Sequence, residues 1–144
     1  EAQWEYGARA GTSTRWWSGD EKASIRGKEN CGDLDFDQHS GLSGGAPVPW
    51  RDGYAFTAPV GTFAANPWGF YDISGNLWEW TRDAGGPFDR STRPSDGLHL
   101  GGDETKRVFR GGGFGRGCEV GRRAQLHLGN RYSMGVRPAR VVDR

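Results

Sequence analysis

Apolar and polar positions follow no single period for long in this chain, and that irregularity is the first finding. Residues 1 to 10 (Glu1-Ala2-Gln3-Trp4-Glu5-Tyr6-Gly7-Ala8-Arg9-Ala10) predict a short helix closed by Gly11, with Glu1 and Glu5 near its positive end. The first residue already falls inside this helix with no capping residue before it, so the chain is expected to be the later part of a larger polypeptide. Residues 11 to 53 are rich in Gly, Ser and Asp and predict one long ordered loop, which a compact domain tolerates only if something fixes it. A metal ion is the obvious candidate. Residues 54 to 63 predict an extended segment, and Asn66-Pro67-Trp68-Gly69 a turn. Phe70 to Trp80 alternates large apolar groups with Asp72, Ser74, Asn76 and Glu79. Residues 85 to 105 predict a second loop, and Arg107-Val108-Phe109-Arg110 and Gly135 to Val142 predict strands. No repeat of fixed period and no internal boundary divides the chain, so one domain is expected.

Composition explains how so irregular a chain can be ordered. Glycine accounts for 25 of 144 residues, about 17% against a typical ~7%, beside 7 Trp, 4 Tyr and 7 Phe. Flat side chains among tight turns suit a compact, loop-heavy core rather than disorder. No run approaches the ~20 apolar residues of a helical membrane span, and no charged-then-apolar leader opens the sequence; neither membrane insertion nor an uncleaved secretory precursor is expected.

The net charge of +1 conceals an asymmetry. From Thr105 onward ten basic residues face two acidic ones, leaving nine basic against sixteen acidic in residues 1 to 104. A basic end is one signature of a nucleic-acid-binding module. The arginines are spaced singly, however, which favours pairing with the acidic part inside one domain, and no nucleic-acid partner is expected. Cys31 and Cys118 match no zinc or Cys-x-x-Cys spacing; a disulfide between them is allowed but not required, and the compartment stays open.

Chemistry concentrates in Phe70-Tyr71-Asp72-Ile73-Ser74-Gly75-Asn76-Leu77-Trp78-Glu79-Trp80. Two carboxylates flank a Gly-Asn turn that can aim backbone carbonyls at the same point, the oxygen-rich environment calcium demands. The alternative is that Asp72 caps the turn while Glu79 pairs with an arginine. Gly113-x-Gly115-x-Gly117 lacks the Lys-Ser/Thr of a phosphate-binding loop, and His39, His99 and His127 form no ligand pattern.

Five motifs in order, Glu1-Ala2-Gln3-Trp4-Glu5-Tyr6, Ala58-Pro59-Val60-Gly61, Gly75-Asn76-x-Trp78-Glu79-Trp80, Arg107-Val108-x-Arg110-Gly111-Gly112 and Gly135-Val136-Arg137, resemble the formylglycine-generating-enzyme (sulfatase-modifying factor) family over nearly the whole chain. The resemblance implies an α+β fold, a loop-rich variant of the C-type-lectin-like architecture with little regular secondary structure. It also implies that the usual N-terminal portion of the domain is missing, to be completed by another segment or chain. It further implies two structural calcium sites. One would use the Asp72 side chain, the Gly75 and Leu77 carbonyls and the Glu79 carboxylate. The other would use the Asn30 side chain, the Cys31 carbonyl, the Asp52 carboxylate and the Tyr54 carbonyl, tying the long loop down and giving Cys31 a main-chain role.

The family's oxidase chemistry carries over poorly. It requires two cysteines shortly after a Gly-Gly-Ser segment, since two thiolates make a soft copper(I) site. Here the serine position is Gly113 and the first cysteine position is Arg116, with only Cys118 nearby. A non-catalytic branch with the same fold, the variable proteins of diversity-generating retroelements, resembles this chain in its Arg-Gly-Gly segment, interspersed fixed arginines (Arg110, Arg122, Arg137) and closing Gly-x-Arg. Between them lie Gly115, Arg116, Cys118, Val120, Gly121, Arg123, Leu126, His127, Leu128, Asn130, Tyr132 and Ser133, each encodable by a codon ending in a pyrimidine. Glu119, Gln125 and Met134 are not, and are expected to be scaffold. The expected function is therefore a non-catalytic, calcium-stiffened domain that binds a protein ligand through residues 113 to 133. The alternatives are an oxidase acting on peptide cysteine through Cys118, and the basic nucleic-acid module.

Overall fold

The computed structural model describes residues 1–41, 47–115, 117–127 and 134–139. Of the sequence-predicted site residues, Arg116, Leu128, Asn130, Tyr132 and Ser133 lie outside them. Helix α1 (Ala2–Arg9) forms within the expected span, but Glu1 stands in the capping position rather than inside the helix, and Ala10, at φ 47°, closes it in place of the expected Gly11 through its N–H to the Tyr6 carbonyl (3.3 Å). The segment 11–53, expected as loop throughout, contains a 3₁₀ turn (Lys22–Ile25) and helix α2 (Leu34–Ser40). The signal for α2 was the Asp33 cap: its carboxylate accepts the Asp35 and Phe36 N–H groups at 2.8 and 2.9 Å, satisfying donors that the first helical turn leaves open. At seven residues α2 is too short to announce itself by periodicity. Residues 54 to 63, expected to be extended, form bends and turns with no strand.

Four strands make one sheet in the order β3-β2-β1-β4. They are β1 (Trp78–Gly85), β2 (Asp103–Arg110), β3 (Arg123–His127) and β4 (Met134–Gly135). β1 and β2 pair antiparallel with Trp80 opposite Phe109 and Glu79 opposite Arg110; β3 joins β2 antiparallel, and β4 joins β1 in parallel at Trp78 and Glu79. β3 lies within the segment expected to carry the ligand surface and forms an edge strand, its residues half-buried or exposed throughout.

Aromatic rings fill the sheet face: Phe109 meets Trp78 edge-on at 4.8 Å and Trp80 at 5.5 Å. Beside them lie two small buried clusters. Trp16, Ile25, Cys31, Val48 and Cys118 form one; Ala8, Ile73 and Val120, flanked by Trp4 and Trp17, form the other. Cys31 and Cys118 are joined by a disulfide, 87 positions apart in sequence with 5.9 Å between their Cα atoms. Cross-chain ion pairs take up much of the charge asymmetry. Glu5 pairs with Arg110, which is 1% exposed, lies over the Trp4 ring and donates through Nη1 and Nη2 to the Gly121 and Val120 carbonyls, while its buried Nε has no partner among the described residues. Glu1 pairs with Arg123, and Glu79 with Arg137. Acidic residues of the first part thus receive arginines of the last, as single spacing predicted.

Candidate functional site

The Gly75-Asn76 turn is the hub where the segments meet. Asp72, Gly75 and Asn76 all adopt positive φ (50°, 76° and 55°), and a Cβ on Gly75 would overlap the Asn30 carbonyl oxygen. The Gly75 N–H reaches the Gly111 carbonyl (2.8 Å), the Asn76 N–H the Asn30 carbonyl (2.8 Å), and the Asn76 carbonyl receives the Phe114 N–H (2.7 Å). The Asn76 side-chain amide copies a strand partner for Ala58, accepting its N–H at 2.9 Å and donating to its carbonyl at 3.1 Å. The Gly75 N–H and both main-chain groups of Asn76 are therefore bonded, which helps this irregular backbone to be buried. Asn66 does similar work below: Nδ2 holds the Gly7 and Ala8 carbonyls, while Oδ1 accepts the Trp68 and Phe70 N–H groups.

Beside the hub, Val60, Asp72, Leu77, Glu79, Gly135 and Arg137 line a cleft of ≈ 240 Å³. Asp72 accepts the Gly61 N–H through Oδ2 (2.7 Å), while its Oδ1 is buried with no hydrogen-bond partner. A buried carboxylate oxygen in that state calls for a cation or a donor. Glu79 stands differently. Oε1 accepts Arg137 Nε and Nη2 (3.0 and 2.6 Å); Oε2 accepts Arg137 Nε (2.9 Å) and Trp4 Nε1 (2.7 Å). Three N–H groups, the Arg137 Nε–H shared between both oxygens, thus engage its carboxylate. The same guanidinium donates to the Tyr71 and Asp72 carbonyls. The members of the first predicted donor set are thus bonded differently: one Asp72 oxygen has no partner, whereas Glu79 pairs with Arg137, the alternative arrangement for that acid.

The second predicted set is distributed otherwise. Asn30 is buried and donates to the Phe56 carbonyl (2.7 Å) and Asn76 Oδ1 (3.3 Å). Asp52 accepts the Tyr54 N–H (2.8 Å) and gives its own N–H to Asp33 Oδ2 (2.6 Å). What gathers around Asp52 is Asp33 and Asp35, with carboxylate oxygens of all three within 4.8 Å of one another. Burial first, then the two neighbouring charges, push the Asp52 carboxyl up to about 6. Asp33 and Asp35 were missed in the sequence; the Asp-x-Asp ahead of a helix start was the available signal.

The Sulfatase-modifying factor enzyme 1-like domain family matches residues 1–141. The chain belongs to that family. Among curated relatives, the formylglycine-generating enzyme of Thermomonospora curvata is 34% identical over 119 residues, covering 79% of this chain and 37% of that protein. That of Streptomyces coelicolor is 31% identical over 116 residues, covering 79% and 34%. Among solved structures, Treponema denticola variable protein 1 superposes with a TM-score of 0.69 at 26% identity, over 94% of this chain and 44% of its own. PvdO from Pseudomonas aeruginosa follows at 0.65 and 28%, over 90% and 46%. The chain spans about a third of the length of the curated relatives it matches. The loop-rich α+β fold of the formylglycine-generating-enzyme type, expected from the motifs, is the fold it has, and a variable protein stands among its structural neighbours.

Within the family's C-terminal segment the expected ligand surface needs revision. Cys118 (2% exposed) and Val120 (0%) are core residues, the first in the disulfide and the second packed on Ala8 and Ile73. Both are withdrawn from that surface, because a side chain closed off from solvent offers no contact to a ligand. Gly115 and Leu126 are half-buried, and His127 is exposed. Arg123 is half-buried and held by Glu1 and the Gly86 carbonyl. Gln125, expected as scaffold, accepts the Gly86 N–H through Oε1 (2.7 Å) and ties β3 to the end of β1.

Proposed function

We propose that this chain is a non-catalytic ligand-binding domain of its family, related in role to retroelement variable proteins. Its described contact residues are Gly115, Leu126, His127 and the neighbouring arginines. The observation that carries this reading is the disulfide: Cys118, the lone cysteine near the family's two-cysteine position, is bonded to Cys31 and buried, and Arg116 stands where the first of the pair is expected. The hydrogen-bonded hub and the crosslink supply the stiffness a binding surface needs, since a surface ordered in advance loses less entropy on association.

A structural calcium ion belongs to the same proposal. Asp72 Oδ1 supports it, with the Gly75 and Leu77 carbonyls as further donors; calcium would bind oxygen ligands there and brace the hub. A second reading, an oxidase of peptide cysteine, rests on the named activity of the relatives. A cysteine peptide incubated with the protein, copper and oxygen separates the two. No aldehyde product is expected, and turnover that disappears in Cys118→Ser overturns the binding reading. For the variable-protein role, the gene's 3′ end should have a nearby near-identical repeat differing mainly at adenines; its absence removes that role.

A further inference from the structure

An open depression of ≈ 390 Å³ lies where the end of α1, the loop 13–15 and the turn 119–122 converge. Arg9, Ser13, Arg15, Glu119 and Arg122 line it. Arg9 is spent: it pairs with Glu5 and donates to the Thr14 carbonyl (3.0 Å), fixing the wall. Arg15 and Arg122 are exposed, and neither guanidinium reaches a carboxylate among the described residues. That sets them apart from Arg107, Arg110, Arg123 and Arg137, each of which holds a glutamate.

Both side chains rise from fixed points. The main chain of Arg15 is tied on both sides, its N–H to Asp20 Oδ1 (2.8 Å) and its carbonyl to the Val120 N–H (3.1 Å), and its guanidinium lies 5.5 Å from the centre of the Trp16 ring. The Arg122 N–H closes a turn on the Glu119 carbonyl (2.8 Å), and its guanidinium folds over Gly117, where a Cβ would come within 2.9 Å of Cζ. Two planar forks of N–H donors, held beside the proposed contact face and lacking partners, match the geometry of a carboxylate.

We propose that this depression receives the side-chain carboxylate of an aspartate or glutamate on a protein ligand. The inference rests on the binding reading above and adds the chemical class of the group bound. Glu119 in the same wall leaves Arg15, Arg122 and itself with a net charge of +1, which a single carboxylate neutralises and a doubly charged phosphate overcompensates. The openness of the depression suits a side chain projecting from a larger partner rather than an enclosed small molecule.

The test titrates the full chain, with ¹⁵N-labelled arginine, against an N-acetylated, C-amidated tetraglutamate peptide and, separately, inorganic phosphate at equal ionic strength. The Nε–H signals of Arg15 and Arg122 should shift saturably with the peptide. The Arg15→Gln/Arg122→Gln double variant should weaken peptide binding at least about tenfold, while Arg26→Gln should leave it unchanged. Unchanged affinity in the double variant, equal shifts in arginines all over the molecule, or phosphate binding tighter than the peptide would each overturn the proposal. Failure of the peptide arm with a template repeat present sinks the carboxylate pocket alone; a missing repeat with a successful peptide arm sinks the variable-protein role alone.

Discussion

Removing the Cys31–Cys118 bridge should cost this protein more than any other small change. The two sulfurs close a loop of 87 residues in sequence separation, joining the segment before α2 to the segment after β2. Loop-closure entropy for that length is about −15 cal/mol/K, which is about 4.6 kcal/mol at 25 °C. Domains have net stabilities of only ~5–15 kcal/mol, so the loss is a large fraction of the whole. At roughly 3 °C of melting temperature per kcal/mol for a chain of this size, Cys31→Ala/Cys118→Ala should melt about 14 °C below the oxidised parent. The assay is thermal and urea unfolding of the parent, the parent with a phosphine reductant, and the double variant. Reductant should lower the parent's midpoint towards the variant's and leave the variant unmoved. A double variant within about 1 kcal/mol of the oxidised parent would refute the reasoning, since the loop would then be held by other contacts.

Three further outcomes are expected. Gly75→Ala combines a φ of 76° with overlap on the Asn30 carbonyl and should destabilise by more than about 2 kcal/mol in urea unfolding; Gly11→Ala, at φ 89° with open space around it, should cost clearly less. Glu29, buried and donated to by Ser74 Oγ (2.6 Å), has its carboxyl pushed up to about 8 chiefly by burial, from 4.5. Between those values the unfolded chain holds fewer protons than the fold, so stability falls as pH rises from about 4.5 through 8. Glu29→Gln should flatten that slope and gain on the order of 2–4 kcal/mol at pH 8; an unaltered pH profile would contradict it. If calcium binds at Asp72, calcium at a hundredfold its dissociation constant should add ~2.7 kcal/mol of stability. A chelator should remove the gain and Asp72→Ala abolish it, and a melting curve indifferent to calcium would remove the ion from the proposal.

Local order was legible in the sequence where it depended on neighbours. α1, the Asn66 turn, the Arg107–Arg110 part of β2 and the irregular Gly75–Asn76 turn all declared themselves through composition and turn residues a few positions apart. The ordered motifs also gave the family, and with it the α+β fold, because they mark backbone positions that only one scaffold needs. Single spacing of the arginines correctly signalled internal pairing for Arg110, Arg123 and Arg137, each of which meets a glutamate from the first part of the chain.

The rest required contacts between distant residues. Nothing near Cys31 or Cys118 says they lie 5.9 Å apart, and that distance turned an expected surface residue into a buried crosslink. Val120 sits in a stretch of mixed chemistry, and only its packing on Ala8 and Ile73 places it inside. The spacing of Asp72 and Glu79 left two readings open, and the pairing of Glu79 with Arg137, 58 residues further on, is a contact no local pattern announces. Turn chemistry is encoded over a few residues. The burial of a side chain and the partner of a charge belong to the assembled fold.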